Sequence, residues 1–187
     1  MGINIQEEEM NDCGDEKYAL DRKEFIKLMK QSDVATHIVA RWFIEKGYEV
    51  EIKKLKIAPS WQERLKYSDE GDFYFWKNGD KKKRVEVKYW PKIDFKLITD
   101  VTYQNIIVNA VNSWDNANPK PSVHFILNKS KTHVMWINSN TSKYWFRDRK
   151  YDKRKNGKRT FYFCPREYVK CIGLYKPKTP EELFFKC

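Results

Sequence analysis

GDFYFWKNGDKKKRVEVKYW, residues 71–90, reads as two short strands joined at Asn78-Gly79, the strongest short-range hairpin signal a sequence carries. Asp72 opens the first strand, and Glu86-Val87-Lys88 lies in the second. Strand side chains alternate faces, so Glu86 and Lys88 project from one side and Val85, Val87 and Tyr89 from the other. A carboxylate and an ammonium side by side, with a further carboxylate one strand away, can bind a divalent cation and keep a charged group beside it. Register decides whether the group forms. A plain two-residue turn pairs Asp72 with Val85 and points it away from Glu86. A three-residue loop, or a bulge with Gly79 left-handed, puts Asp72, Glu86 and Lys88 on one face, and that is the expectation.

Outward from the hairpin, 187 residues with 41% hydrophobic content suit a single domain over residues 17–187, preceded by an acidic, aperiodic and disordered tail over residues 1–16. No apolar run approaches the roughly 18 residues of a membrane span, and the N-terminus is acidic rather than signal-like, so a soluble, intracellular, cytoplasmic protein is expected. Cys13, Cys164, Cys171 and Cys187 are scattered without a CxxC pair and read as reduced thiols. The net charge is +11; residues 1–20 carry six acids against Lys17, or −5, which leaves +16 on the rest. A body that basic, with 16% aromatics, points to a polyanionic partner, nucleic acid first.

Taken in order, Tyr18 to Lys30 suits a first helical segment, and Ser32 or Asp33 is placed to cap a second or to continue the first. Val34, Ile38 and Trp42, with Val39 and Phe43, recur at helical spacing, and Gly47 supplies a stop. Tyr48 to Ile57 alternates as a strand, and Pro59 to Gly71 is a long loop. After the hairpin, Asp100 to Trp114 has a helical spacing of Tyr103, Ile107, Ala110, Val111 and Trp114. Val123–Asn128 and His133–Asn138 are two more strands. Arg147 to Arg159 reads as a basic loop with Asn156-Gly157 near its end, part of a C-terminal basic hairpin that returns through Thr160 to Phe163. Pro165 stands where a closing helix would begin.

This order, with Asp72, thirteen intervening residues and then Glu86-Val87-Lys88, resembles the PD-(D/E)xK nuclease superfamily and its restriction-endonuclease-like fold. The resemblance covers roughly residues 33–138 and departs from the pattern at Gly71, where the name-giving proline would stand. It implies an α/β fold with an αβββαβ core and a mixed central sheet flanked by helices. It assigns Asp72 and Glu86, with the Val87 carbonyl, as ligands of Mg²⁺ or Mn²⁺, and Lys88 as the catalytic ammonium that orients water. Superfamily members often add an acid from the first helix, for which Asp33 or His37 is the nearest match, and some place a glutamine near the site, as Gln104 after Tyr103 would be. Each of these three also has an ordinary reading: a cap, an exposed or packed helix histidine, a solvated polar residue. The Asp72–Glu86–Lys88 trio has one as well, an alternating charged face that merely solvates the hairpin.

The implied activity is a metal-dependent endonuclease that hydrolyses DNA phosphodiester bonds with a metal-activated water. Lys82 and Lys83 in the hairpin turn and Arg147, Arg149, Lys153, Arg154 and Lys155 further on are the candidate phosphate-tracking residues. The alternatives are a nucleic-acid-binding protein that keeps the fold without catalysis, and a basic protein-interaction factor. DNA is preferred to RNA as partner. With no helix-turn-helix or zinc module, sequence readout falls to loops or to a homodimer.

Overall fold

The computed structural model describes residues 22–54, 71–152 and 157–174. The expected acidic tail, most of the Pro59–Gly71 loop, and Lys153, Arg154 and Lys155 lie outside them.

One unbroken helix, α1 (Arg22–Glu45), bears out the alternative in which Ser32-Asp33 continues the first segment instead of capping a second. Its buried residues Ala35, Thr36, Val39, Ala40 and Phe43 recur at the spacing of one helix face. The helix runs without a break through Ser32-Asp33, so Asp33 is interior to α1 and caps nothing. The helix ends as the sequence implies. Gly47 sits at φ +79, its N–H donates to Ile44 O, and Tyr48 N–H reaches back to Phe43 O, a Schellman closure that only a left-handed residue permits.

The strands are β1 (Glu49–Ile52), β2 (Phe73–Trp76), β3 (Lys83–Tyr89), β4 (Asn105–Ala110), β5 (Val123–Leu127), β6 (His133–Asn138), β7 (Phe146–Asp152), β8 (Gly157–Pro165) and β9 (Val169–Gly173). A six-stranded mixed sheet runs β1-β2-β3-β5-β6-β9, and a three-stranded sheet runs β4-β8-β7. Within the larger sheet β3 and β5 are parallel and the remaining neighbours antiparallel. The crossover joining β3 to β5 contains β4 and the short helix α2 (Val111–Asp115).

Alternation sorts the side chains of the larger sheet into two cores. Phe73, Val85, Val87, Val123, Phe125 and Leu127 pack under α1 against Val39 and Phe43. Ile126, Met135 and Ile137 face the other way and meet Ile106, Val108 and Cys164 of the smaller sheet, with Trp114 and Trp145. The molecule is therefore a mixed α/β protein in which a helix covers one sheet face and a second sheet the other. The expectation of helices on both faces is corrected: among the described residues the second layer is β4, β8 and β7, with α2 at its side.

Three local expectations change for the same reason. Asp100–Trp114 is not one helix. Asp100 closes a 3₁₀ turn, its carboxylate accepting the N–H groups of Lys96 and Leu97, and Asn105–Ala110 is strand. The β-branched run Ile106-Ile107-Val108 has strand propensity, and pairing with β8 realises it over the helical spacing. Within the expected loop, Arg147–Asp152 and Gly157–Arg159 belong to the paired strands β7 and β8. Pro165 opens no long helix: a 3₁₀ turn at Arg166–Tyr168 leads into β9, which pairs with β6. Cys164 and Cys171 are free thiols, and burial pushes both up to about 11. No helix among the described residues is long and apolar enough to cross a membrane.

Candidate functional site

The hairpin turn is a two-residue turn. Asn78 and Gly79 both take positive φ, 50 and 79, and Asp80 N–H donates to Lys77 O at 3.0 Å. The ladder nevertheless pairs Phe73 with Val85, Tyr74 with Arg84 and Phe75 with Lys83. Between turn and ladder, Lys81 and Lys82 thus stand opposite Trp76 alone, and this extra residue shifts the parity. Asp72, just before β2, consequently falls on the same sheet face as Glu86 and Lys88, opposite the face that α1 covers.

Asp72 is tied to β3 at two points. Its N–H donates to Val85 O at 3.2 Å, and its Oδ2 accepts the Val87 N–H at 2.6 Å. On its other side Lys53, following β1, donates its N–H to Asp72 O at 2.9 Å, while its ammonium bonds Glu51 and lies over the Tyr74 ring. Lys88 donates from Nζ to the Val108 carbonyl. The β4–β8 register slips between Ile107 and Asn109, which leaves Val108 outside the ladder with its carbonyl free to meet Lys88.

Glu86 is only 12% exposed, and its Oε1 accepts both Nε (3.0 Å) and Nη2 (2.6 Å) of Arg84. Arg84, two residues earlier on the same strand face, is 6% exposed, and its Nη1 also reaches Pro119 O at 3.4 Å. Gly71 makes room for it. A Cβ there would sit 2.6 Å from Arg84 Nε, and φ +88 at Gly71 is closed to proline. Glycine at position 71 is thus a requirement of this geometry.

Beside Glu86 on β5 stands His124, 1% exposed, its ring near Trp114 (5.6 Å) and Trp145 (5.9 Å). Neither ring nitrogen has a hydrogen-bond partner. Burial, and then the charges of Lys88 and Arg84, hold its pKa well below 6.5, so the imidazole is neutral at neutral pH. The unfolded chain binds that proton near pH 6.5 and the folded chain refuses it, so this residue erodes stability as pH falls below about 6.5, by at most ~1.4 kcal/mol per pH unit. His124→Phe should therefore flatten the drop in the urea midpoint between pH 7.5 and pH 5. An unchanged drop would mean that the acid sensitivity comes from other groups.

Of the residues expected to act, Asp72, Glu86, Val87 and Lys88 are brought together. Asp33 and His37 are not: both are partly or wholly exposed on α1, which packs on the opposite sheet face, and His37 Nδ1 hydrogen-bonds Asp33 O. Gln104 is exposed immediately before β4 instead of on a helix, its carbonyl accepting the Arg166 N–H. Lys82 is held by Glu51 Oε2 at 2.6 Å and lies over the Trp76 ring, and Lys83 lies over Phe75. Hydrogen bonds from Lys53 and Lys82 hold Glu51 at about 2, so Lys82 is already opposed by a carboxylate. Arg147 is similarly engaged with the Tyr162 hydroxyl and Asp115, while Arg149 is exposed on β7.

Arg84, Lys53 and His124 join the site from outside the expected Asp72–Glu86–Lys88 set. The first had a signal, since it shares the strand parity of Glu86 and Lys88. His124 had a fainter one, as the polar residue in an apolar five-residue strand. The donors at the centre are all oxygen: two carboxylates and the backbone at Val87. Among the described residues no three His, Cys, Asp or Glu side chains cluster for a metal, so the set is a two-carboxylate one. That composition fits a hard cation such as Mg²⁺, which keeps several of its waters. No protein-family model, no curated protein and no solved structure matches the chain.

Proposed function

We propose that the protein is a metal-dependent nuclease of the PD-(D/E)xK type, with DNA as its substrate, Asp72 and Glu86 as metal ligands and Lys88 as the catalytic ammonium. The observation that carries this reading is the shared sheet face of the three side chains, with the Asp72 carboxylate drawn to the Val87 backbone. The element order supports it: α1, β1, β2, β3, a crossover containing α2, then β5 parallel to β3 and β6 antiparallel to it, in line with an αβββαβ core. The inserted β4 and the second sheet are this chain's own additions.

Asp72, Glu86 and the Val87 carbonyl would hold the cation. Bound there, it supplies Lewis acidity, lowering the pKa of a water and polarising a phosphoryl oxygen. Lys88 keeps a fixed positive charge beside them. Anchored on Val108 O, its ammonium orients the attacking water and offsets charge developing on the phosphoryl oxygens. The basic hairpin, with Arg149 and Lys158 exposed, adds a phosphate-attracting surface whose hold weakens with salt.

The test is cleavage of plasmid DNA, single-stranded DNA and RNA with Mg²⁺, Mn²⁺ or chelator. Lys88→Ala should lower the rate by about 10²–10³, with Mn²⁺ affinity largely kept, while Asp72→Asn should lose the affinity itself. Equal loss of Mn²⁺ binding in the two variants would overturn the division of roles, and cleavage indifferent to both would overturn the reading. A second reading, a nucleic-acid-binding protein without catalysis, is favoured by one observation: Glu86 is already paired with a cation, Arg84. Nucleic-acid binding in chelator without cleavage under any metal condition would select it.

A further inference from the structure

We propose that Arg84 is a built-in cation that holds Glu86 in the metal-free protein and must leave it when a divalent cation binds. The inference rests on the reading of Asp72 and Glu86 as metal ligands and names what regulates that site.

Three observations support it. Both Nε and Nη2 of Arg84 converge on a single oxygen, Glu86 Oε1. The pair is sequestered, at 6% and 12% exposure, so neither charge is supported by bulk water. The arginine is also given a dedicated slot, because Gly71 lacks the Cβ that would press on its Nε at 2.6 Å. An incidental strand neighbour needs no such accommodation.

Charge counting points the same way. Asp72 and Glu86 supply two negative charges, and Lys88 alone would leave a net −1 that invites a divalent cation. With Arg84 the count of these four groups is zero. A cation arriving at Glu86 is therefore opposed by a like charge already on that carboxylate, and the guanidinium it displaces becomes available to an anion. A phosphodiester oxygen is the acceptor that a planar fork of donors matches best. Metal and phosphate binding are then coupled through one side chain, and by linkage each raises the affinity of the other by the same factor.

The experiment measures Mn²⁺ affinity by electron paramagnetic resonance in the full chain, without nucleic acid. Arg84→Gln and Arg84→Met should each bind Mn²⁺ at least about tenfold more tightly than wild type, the low end of what a close buried charge pair is worth. The stability those variants lose should return on adding metal. An unchanged or weaker Mn²⁺ affinity in folded variants would overturn the proposal. If neither variant folds, the wild-type protein still decides it through the Arg84 Nε–H resonance. That proton should be protected from solvent exchange without metal and lose its protection as Mg²⁺ saturates the site; protection that persists at saturation would overturn the proposal. Absence of Mn²⁺ or Mg²⁺ binding in wild type and variants alike would sink the metal-dependent reading itself and this inference with it.

Discussion

Gly71→Pro is expected to destabilise the protein by ~3 kcal/mol or more, enough to leave much of it unfolded. Proline fixes φ near −65°, whereas Gly71 lies at +88, so the chain entering β2 would have to change direction. The new ring carbons would also enter the slot of Arg84, whose Nε and Cγ lie 2.6 and 3.0 Å from a Cβ at this position. Arg84 cannot swing aside cheaply, because its guanidinium is buried against Glu86. Gly71→Ala makes a graded comparison. It keeps a free φ but accepts left-handed strain and the same contact, and should cost about 1–3 kcal/mol. Urea midpoints of the two variants check the order. A proline variant within about 0.5 kcal/mol of wild type, the usual spread of neutral surface changes, would show that the backbone around Asp72 is built differently.

Glu86→Ala comes second and should remove stability and activity together. Truncation removes the Glu86 carboxylate from the buried Arg84 guanidinium, a loss of about 3–5 kcal/mol for a buried ion pair broken on one side. Under the proposed function it also removes a metal ligand, so cleavage should disappear. The two effects separate in the double variant Arg84→Met/Glu86→Leu, which fills the same space with apolar groups. Such replacements are often neutral or stabilising, so its melting temperature should recover while cleavage stays absent. A double variant as unstable as Glu86→Ala would mean that the pair is held by interactions these two residues do not account for. Recovered cleavage would remove Glu86 from the metal site.

The legible parts of the fold are those whose physics closes within a few residues. Asn78-Gly79 announced a turn because both positions need positive φ, and Gly47 announced a helix end for the same reason. Val123–Leu127 and His133–Asn138 announced strands through β-branched and aromatic density. The face shared by Asp72, Glu86 and Lys88 was legible on one condition, an extra residue in the hairpin, and Lys81-Lys82 opposite Trp76 supplies it.

Where two local readings competed, a distant partner chose between them. Ile107, Ala110 and Trp114 lie at helical spacing, yet the strand reading of Asn105–Ala110 prevails because β8 stands ready to pair with it. Thr160–Phe163 of β8 carries a strand signal in its alternating Phe161 and Phe163, whereas β7 carries none, because a charged edge strand exposed along nearly its whole length has almost no hydrophobic alternation to read. The neutral state of His124 follows from its burial against Trp114 and Trp145, and Arg84 lies against Gly71 and the Pro119 carbonyl, contacts that no short window around either residue contains.

Taken alone, the order of residues determined that Glu86 and Lys88 share one side of their strand, because side-chain direction along a strand depends only on parity, and it set the condition, one extra residue in the hairpin, under which Asp72 joins them. Tertiary structure alone decided that this side is covered, that Lys88 meets a bulged carbonyl and that Arg84 closes on Glu86. Burial, and with it the strength of every charge interaction in the site, depends on segments far apart in the chain.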